Sequence, residues 1–223
     1  MSALTERYAA VQDGIADAAR AAGRDPSEIT TIVVTKFHPA SLVRELAAVG
    51  VRDVGENRHQ EASAKAAELS DLDLTWHFVG QLQGNKAAAA LEYASVVHSV
   101  DRVSLVGALA KAGRPAGVFL QLNLTDDPQR GGVAPDLLEA LAEKVLEVPT
   151  LELRGLMAVA PLGAQPRAAF AAVRAASGRL QSIAPQATDL SMGMSGDYRE
   201  AIAEGATHLR IGTAITGNRP PQS

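Results

Sequence analysis

The sequence predicts a single-domain α/β protein of the (β/α)8 TIM-barrel class, and three observations carry that prediction. Short β-branched runs alternate with longer Ala/Leu/Glu/Arg stretches, the pattern of strand–helix units around a parallel sheet. Eight strands can be counted, with seven helices between them and one more ahead of the first. At 223 residues the chain has room for one such barrel with short loops, the usual size being roughly 250 residues. A doubly wound open sheet shows the same alternation and differs only in whether its edges meet.

The elements follow in order. A helix over 4–22 carries Glu6, Arg7, Asp13, Asp17 and Arg20, a charge density that fits neither a signal peptide nor a membrane span. Strands are predicted at 30–35, 51–54, 75–79, 95–98, 117–122, 151–157, 188–192 and 207–211, where Val, Ile, Thr, Leu and Phe cluster. Helices are predicted at 39–49, 58–69, 85–92, 101–111, 135–147, 166–183 and 197–204. Asp101 reads as an N-cap, Pro39 and Pro135 as first-turn residues, and Gly50, Gly113 and Gly205 as C-cap glycines. The barrel with its leading helix therefore takes residues 1–217, leaving 218–223 as a frayed tail.

Composition excludes several classes. With 47% hydrophobic residues the chain can bury a substantial core, and a net charge of −4 argues against a general nucleic-acid or anionic-membrane binder. Zero cysteines exclude disulfides, Cys-ligated metals and thiol nucleophiles. A cytoplasmic, monomeric protein is expected, since no large apolar stripe is left over.

In a βα barrel, chemistry sits at the carboxyl ends of the strands. The first strand ends in Lys36, one of only five lysines beside sixteen arginines. A partly desolvated lysine there can trap a carbonyl as a Schiff base, although an isolated strand-end lysine more often snorkels into solvent. After the seventh strand comes SMGMSGD (191–197), and after the eighth RIGT (210–213), each placing hydroxyls and glycines at a strand-to-helix turn. Amides at such turns form an anion site, and barrels frequently hold phosphate there. A Schiff-base lysine opposite a phosphate cradle describes pyridoxal 5′-phosphate. Arg210 is the candidate partner of its ring nitrogen, and an arginine cannot accept a proton from it. A salt bridge in the barrel mouth accounts for Arg210 equally well.

The strings GENR (55–58), WHFVGQLQGNK (76–86), HSVDR (98–102), QLN (121–123), GLM (155–157), LSMGMSGD (190–197) and RIGTAI (210–215) occur in this order over nearly the whole chain. In this the sequence resembles the pyridoxal phosphate homeostasis protein family. The resemblance implies a single barrel similar to the N-terminal domain of alanine racemase, with pyridoxal phosphate held as a lysine aldimine. By motif position Lys36 is then the Schiff-base lysine, and Ser195, Ile211, Gly212 and Thr213 hold the phosphate. Asn57 lies near the cofactor, Arg210 faces its ring nitrogen, and Ser191, His77 and Met157 line the site. Departures from the family pattern fall at Val54, His59, Phe37–His38 and Thr216.

Racemisation needs a second base opposite the lysine, which alanine racemase-like enzymes take from a tyrosine of a further domain. Here Tyr8 and Tyr198 fall in predicted helices and Tyr93 directly follows one, none of them at a strand end. The expectation is therefore a protein of intracellular pyridoxal phosphate homeostasis that buffers the cofactor, or delivers it to dependent apoenzymes, without efficient turnover. A low-activity racemase or decarboxylase of the same fold is the alternative, and a Schiff-base aldolase acting on a sugar phosphate is a further one.

Overall fold

The computed structural model describes residues 2–125, 127 and 130–218; residues 219–223 of the expected tail lie outside them. Eight parallel strands close a barrel in chain order: β1 (Thr30–Val34), β2 (Asp53–Glu56), β3 (Thr75–Phe78), β4 (Val96–Val100), β5 (Ala116–Gln121), β6 (Leu151–Met157), β7 (Asp189–Ser191) and β8 (His208–Ile211). The first strand returns to the last, with Thr30 beside His208 and Val33 beside Ile211, so the open-sheet alternative is excluded.

Nine helices are described: α1 (Ala3–Ala21), α2 (Ala40–Ala48), α3 (His59–Glu68), α4 (Ala87–Ala90), α5 (Val103–Ala112), α6 (Leu138–Leu146), α7 (Pro166–Ile183), α8 (Tyr198–Ala203) and α9 (Thr213–Thr216). Among the described residues none is long and apolar enough to cross a membrane. The main core lies between the outer face of the barrel and these helices, and includes Val33, Leu46, Val54, Leu105, Val118, Leu138, Phe170 and Leu209. A second cluster of Val96, Phe119 and Met157 fills the barrel interior. Strands buried on both faces read as near-continuous apolar runs, which is why the two cores are indistinguishable in the sequence. α1 packs against α8 and α9, and its Arg7 donates to the Ile215 carbonyl at 2.7 Å.

Several predicted boundaries move, each for a local reason. Predicted at 51–54, β2 begins only at Asp53, because the Val51 amide donates back to Leu46 O (3.0 Å) and so finishes α2. The helix expected at 85–92 shrinks to a 3-10 turn (Gly84–Lys86) followed by the single turn of α4, and Tyr93 sits in the turn beyond it. Asp101 does not cap α5: its carboxylate pairs with Arg102 (2.6 Å) and accepts the Gly132 amide, leaving Arg102 at the N-cap position with no side-chain bond. α6 starts at Leu138 rather than at Pro135. Gly113 adopts the left-handed C-cap conformation expected of it.

Candidate functional site

The carboxyl ends of the strands surround a cavity of about 410 Å³, lined by Val34, Lys36, Asn57, Val79, Gly80, Val159, Met194, Ser195, Gly196, Arg210, Gly212 and Thr213. That volume suits a small cofactor.

Lys36 lies two residues beyond β1 and is exposed, as expected of a strand-end lysine that snorkels into solvent and not of the partly desolvated one. Its turn is held from behind. Phe37 takes a left-handed conformation (φ 68°), unusual for an aromatic residue, and its amide donates to Glu61 Oε1 at 2.6 Å. Buried Lys65 on α3 ties this turn to β2: its Nζ donates to Thr35 O (2.9 Å), Glu56 Oε1 (2.7 Å) and Glu61 Oε1 (3.2 Å). The Thr35 hydroxyl adds a 2.7 Å bond to the same Glu56 oxygen. Burial raises the Glu56 carboxyl above the usual range, with Lys65 pulling the other way.

Across the cavity, the turns after β7 and β8 interlock. The Arg210 amide donates to Gly193 O at 3.0 Å, and the Met194 amide to Asp197 Oδ1 at 2.6 Å. Gly193 has φ +94°, and a side chain there would put its Cβ 2.6 Å from Ala201 Cβ, so only glycine lets β7 turn into α8 this closely. The Ser195 hydroxyl accepts from the Ala214 amide at 3.4 Å. α9 is a single turn, so this wall offers individual amides and hydroxyls, not a long helix's macrodipole.

The floor is polar. Arg210 is buried, donating through one terminal nitrogen to Ser191 O (2.6 Å) and Ser191 Oγ (2.7 Å), and through the other to Ala158 O (2.8 Å). Among the described residues nothing accepts from its Nε. Asn57 Oδ1 is buried with no hydrogen-bond partner, beneath Gly80, which packs on the Asn57 backbone.

Of the residues expected at the cofactor, Lys36, Asn57, Ser195, Arg210, Gly212 and Thr213 line this one cavity. Ile211 is fully buried at the end of β8 beside them. His77, Ser191 and Met157 lie elsewhere. Met157 packs in the interior cluster, and His77 and Ser191 both bond to His98 within the barrel. A position of the right parity on a barrel strand points inward, but parity does not say whether inward means the mouth or the packed interior. The sequence reading gave no site role to Val34, Val79, Gly80, Val159, Met194 and Gly196, although Gly80, Met194 and Gly196 stand in the strand-end strings it singled out. Val34 and Val159 carried a usable signal only in their closeness along the chain, each lying two residues from a position already singled out.

Fold and mouth together define a single-barrel protein of the alanine racemase N-terminal-domain class, whose family model matches residues 8–220. Among curated relatives, the pyridoxal phosphate homeostasis protein of Pseudomonas aeruginosa is 46% identical over 228 residues, covering 98% of this chain and 97% of its own length. Among solved structures, PipY of Synechococcus elongatus with PLP bound superposes with a TM-score of 0.85 at 41% identity, over 96% of this chain and all of that one. Alanine racemase from Corynebacterium glutamicum shares the fold alone, with a TM-score of 0.71 at 16% identity over 62% of its length. The chain belongs to the pyridoxal phosphate homeostasis protein family.

Proposed function

We propose that this protein binds pyridoxal 5′-phosphate at the barrel mouth and serves intracellular homeostasis of that cofactor, holding or handing it on without efficient amino-acid turnover. The observation that carries the reading is that Lys36 shares one cavity with Ser195, Gly212, Thr213 and Arg210.

The donor set fits the group. A primary amine stands on one wall. Hydroxyls and amides suited to a phosphate stand on the other. Arg210 and the orphaned Asn57 Oδ1, both at this cavity, offer polar contacts to a heteroaromatic ring. When bound, the group supplies an electrophilic carbonyl and an electron-accepting ring. The residues of this chain would hold and orient it: Lys36 would offer its amine to the carbonyl, Thr213 and Ser195 would donate to the phosphate, and Arg210 would present a donor to the ring nitrogen. A donor there would leave that nitrogen unprotonated and weaken the ring as an electron sink.

Two observations support holding over turnover. None of the three tyrosines is among the cavity-lining residues, so none stands ready as a second base opposite Lys36. Lys36, Thr213, Met194 and Gly196 are exposed, so the cavity is not the dry enclosure in which proton abstraction is efficient. Hand-on to dependent apoenzymes, and a monomeric state, belong to the same reading.

The test is an absorbance spectrum of wild type and Lys36→Ala after incubation with pyridoxal phosphate and desalting. Wild type retains a visible band and the variant loses it; a band equal in both overturns the assignment of Lys36. Incubation with single-enantiomer amino acids in deuterium oxide tests the absence of turnover. Exchange at the α carbon at rates on the order of 1 s⁻¹ or faster would make the protein an enzyme.

A further inference from the structure

Arg210 is a buried cation, and among the described residues no carboxylate lies within ion-pair distance of it. Burial pushes its guanidinium down to about 10, with Asp197 near enough to oppose the shift without pairing. An unpaired buried charge is costly, so something else must compensate it.

What touches it is the end of a chain of side chains running through the barrel. Arg210 donates to Ser191 Oγ at 2.7 Å, Ser191 Oγ lies 2.9 Å from His98 Nδ1, and His98 Nε2 lies 2.9 Å from His77 Nδ1. His77 Nε2 then lies 2.9 Å from Asp53 Oδ1, at the first residue of β2 and so at the end of the barrel opposite the mouth. His77, His98 and Ser191 are buried, while the Asp53 side chain keeps 29% of its exposure. Phe119 stacks on His98 with ring centroids 4.5 Å apart, and His208 and Arg154 approach the Phe119 ring.

With both rings neutral, the two ends fix where every proton sits. The Asp53 carboxylate only accepts, so His77 Nε2 carries a hydrogen, and a neutral His77 then accepts at Nδ1. His98 must donate from Nε2, and a neutral His98 accepts at Nδ1. Ser191 can meet that acceptor only by donating its hydroxyl hydrogen, which leaves its oxygen free to accept from Arg210. Each bond therefore points from cation to anion, and each acceptor turns its negative end toward Arg210.

We propose that Asp53, His77, His98 and Ser191 form one proton-ordered chain through which a carboxylate at the far end of the barrel compensates Arg210 and sets the charge it presents to the mouth. Asp53, His77 and His98 are positioning residues, acting through Ser191 and Arg210. The consequence for the bound cofactor rests on the function proposed above; the order of the protons does not.

The order is read directly by nitrogen NMR of histidine-labelled, ligand-free protein at pH 8. His77 and His98 are both expected as neutral rings protonated at Nε2. Either ring protonated at Nδ1, or doubly protonated, overturns the chain. Asp53→Asn, a change at a partly exposed site, is then loaded with pyridoxal phosphate. Its retention is expected to fall roughly 3- to 10-fold, with a displaced visible band, and Asp53→Glu is expected to restore both. Retention and band unchanged from wild type overturn the coupling to Arg210. If wild type itself takes up no pyridoxal phosphate, the functional reading fails, while the NMR result still decides the chain.

Discussion

Lys65 offers the sharpest test of how the Lys36 turn is held. Its side chain is 7% exposed, and the Glu56 side chain it meets at 2.7 Å is fully buried. Lys65→Met keeps the length of the stem but removes the charge, leaving Glu56 with only the Thr35 hydroxyl and an Oε2 that already has no partner. Breaking one side of a buried pair costs about 3–5 kcal/mol, because the remaining charge stays desolvated. In a chain of this size each kcal/mol moves the melting temperature by about 2–4 °C, so a loss of about 6–20 °C is expected. Glu56 is already biased toward its neutral form, so the loss should be smaller at pH 5 than at pH 8. Lys65→Met combined with Glu56→Gln removes the orphaned charge and should recover more than half of the loss. Thermal melts of the wild type, both single variants and the double variant at the two pH values form a complete cycle. A Lys65→Met cost below about 1 kcal/mol, or a double variant no better than the single, refutes the reasoning.

Three further outcomes are expected. Ser195→Ala and Thr213→Val should each weaken pyridoxal phosphate retention by about 1–3 kcal/mol through lost bonds to a charged acceptor, measured by equilibrium dialysis. Gly193→Ala should destabilise by about 1–3 kcal/mol in a denaturant melt, since it meets both a φ of +94° and the Ala201 side chain. In acid, burial holds His98 well below its ordinary value and His208 at about 4, so the unfolded chain takes up their protons first. Stability from these two rings is present above pH 6.5 and is lost as the pH falls from there toward 4, by up to about 1.4 kcal/mol per pH unit for each proton. The raised Glu56 carboxyl works the opposite way above 4.5, because there the folded state holds the extra proton. Unfolding free energies measured from pH 8 to 4 should fall; a flat profile would mean the histidines are solvated.

The barrel was legible because its period never broke. Each β-branched run has its helix, and TIVV, TWHF and HLRI lie in β1, β3 and β8. Boundaries failed where a backbone group had a second use. Val51 belongs by composition to a strand, yet its amide completes the end of α2. The mouth was legible as strand ends: Lys36, Ser195 and Thr213 follow their strands closely, and position alone placed them. The interior was not. His77 and Ser191 were expected at the cofactor, yet they pack one layer down, because alternation tells a side chain's face and not its height in the barrel. His98 carried no signal beyond standing near a strand end, and only closure of the barrel brings it between residues of β3 and β7. The exposure of Lys36 agrees with the snorkelling reading of a strand-end lysine, while the turn that Phe37 bends through an uncommon conformation was not legible.

The pairing of β1 with β8 has a consequence for when the site exists. Lys36 follows the first strand and Gly212 and Thr213 follow the last, so the two walls of the cavity stand on either side of the seam where the ends of the sheet meet. During synthesis no cavity is present until the eighth strand has emerged and zipped to the first, which makes the mouth one of the last features to assemble. A small molecule that grips both walls then acts as a clasp on that seam. Its binding free energy adds to closure, and its departure leaves the join held by its own hydrogen bonds and by α1 strapped across α8 and α9.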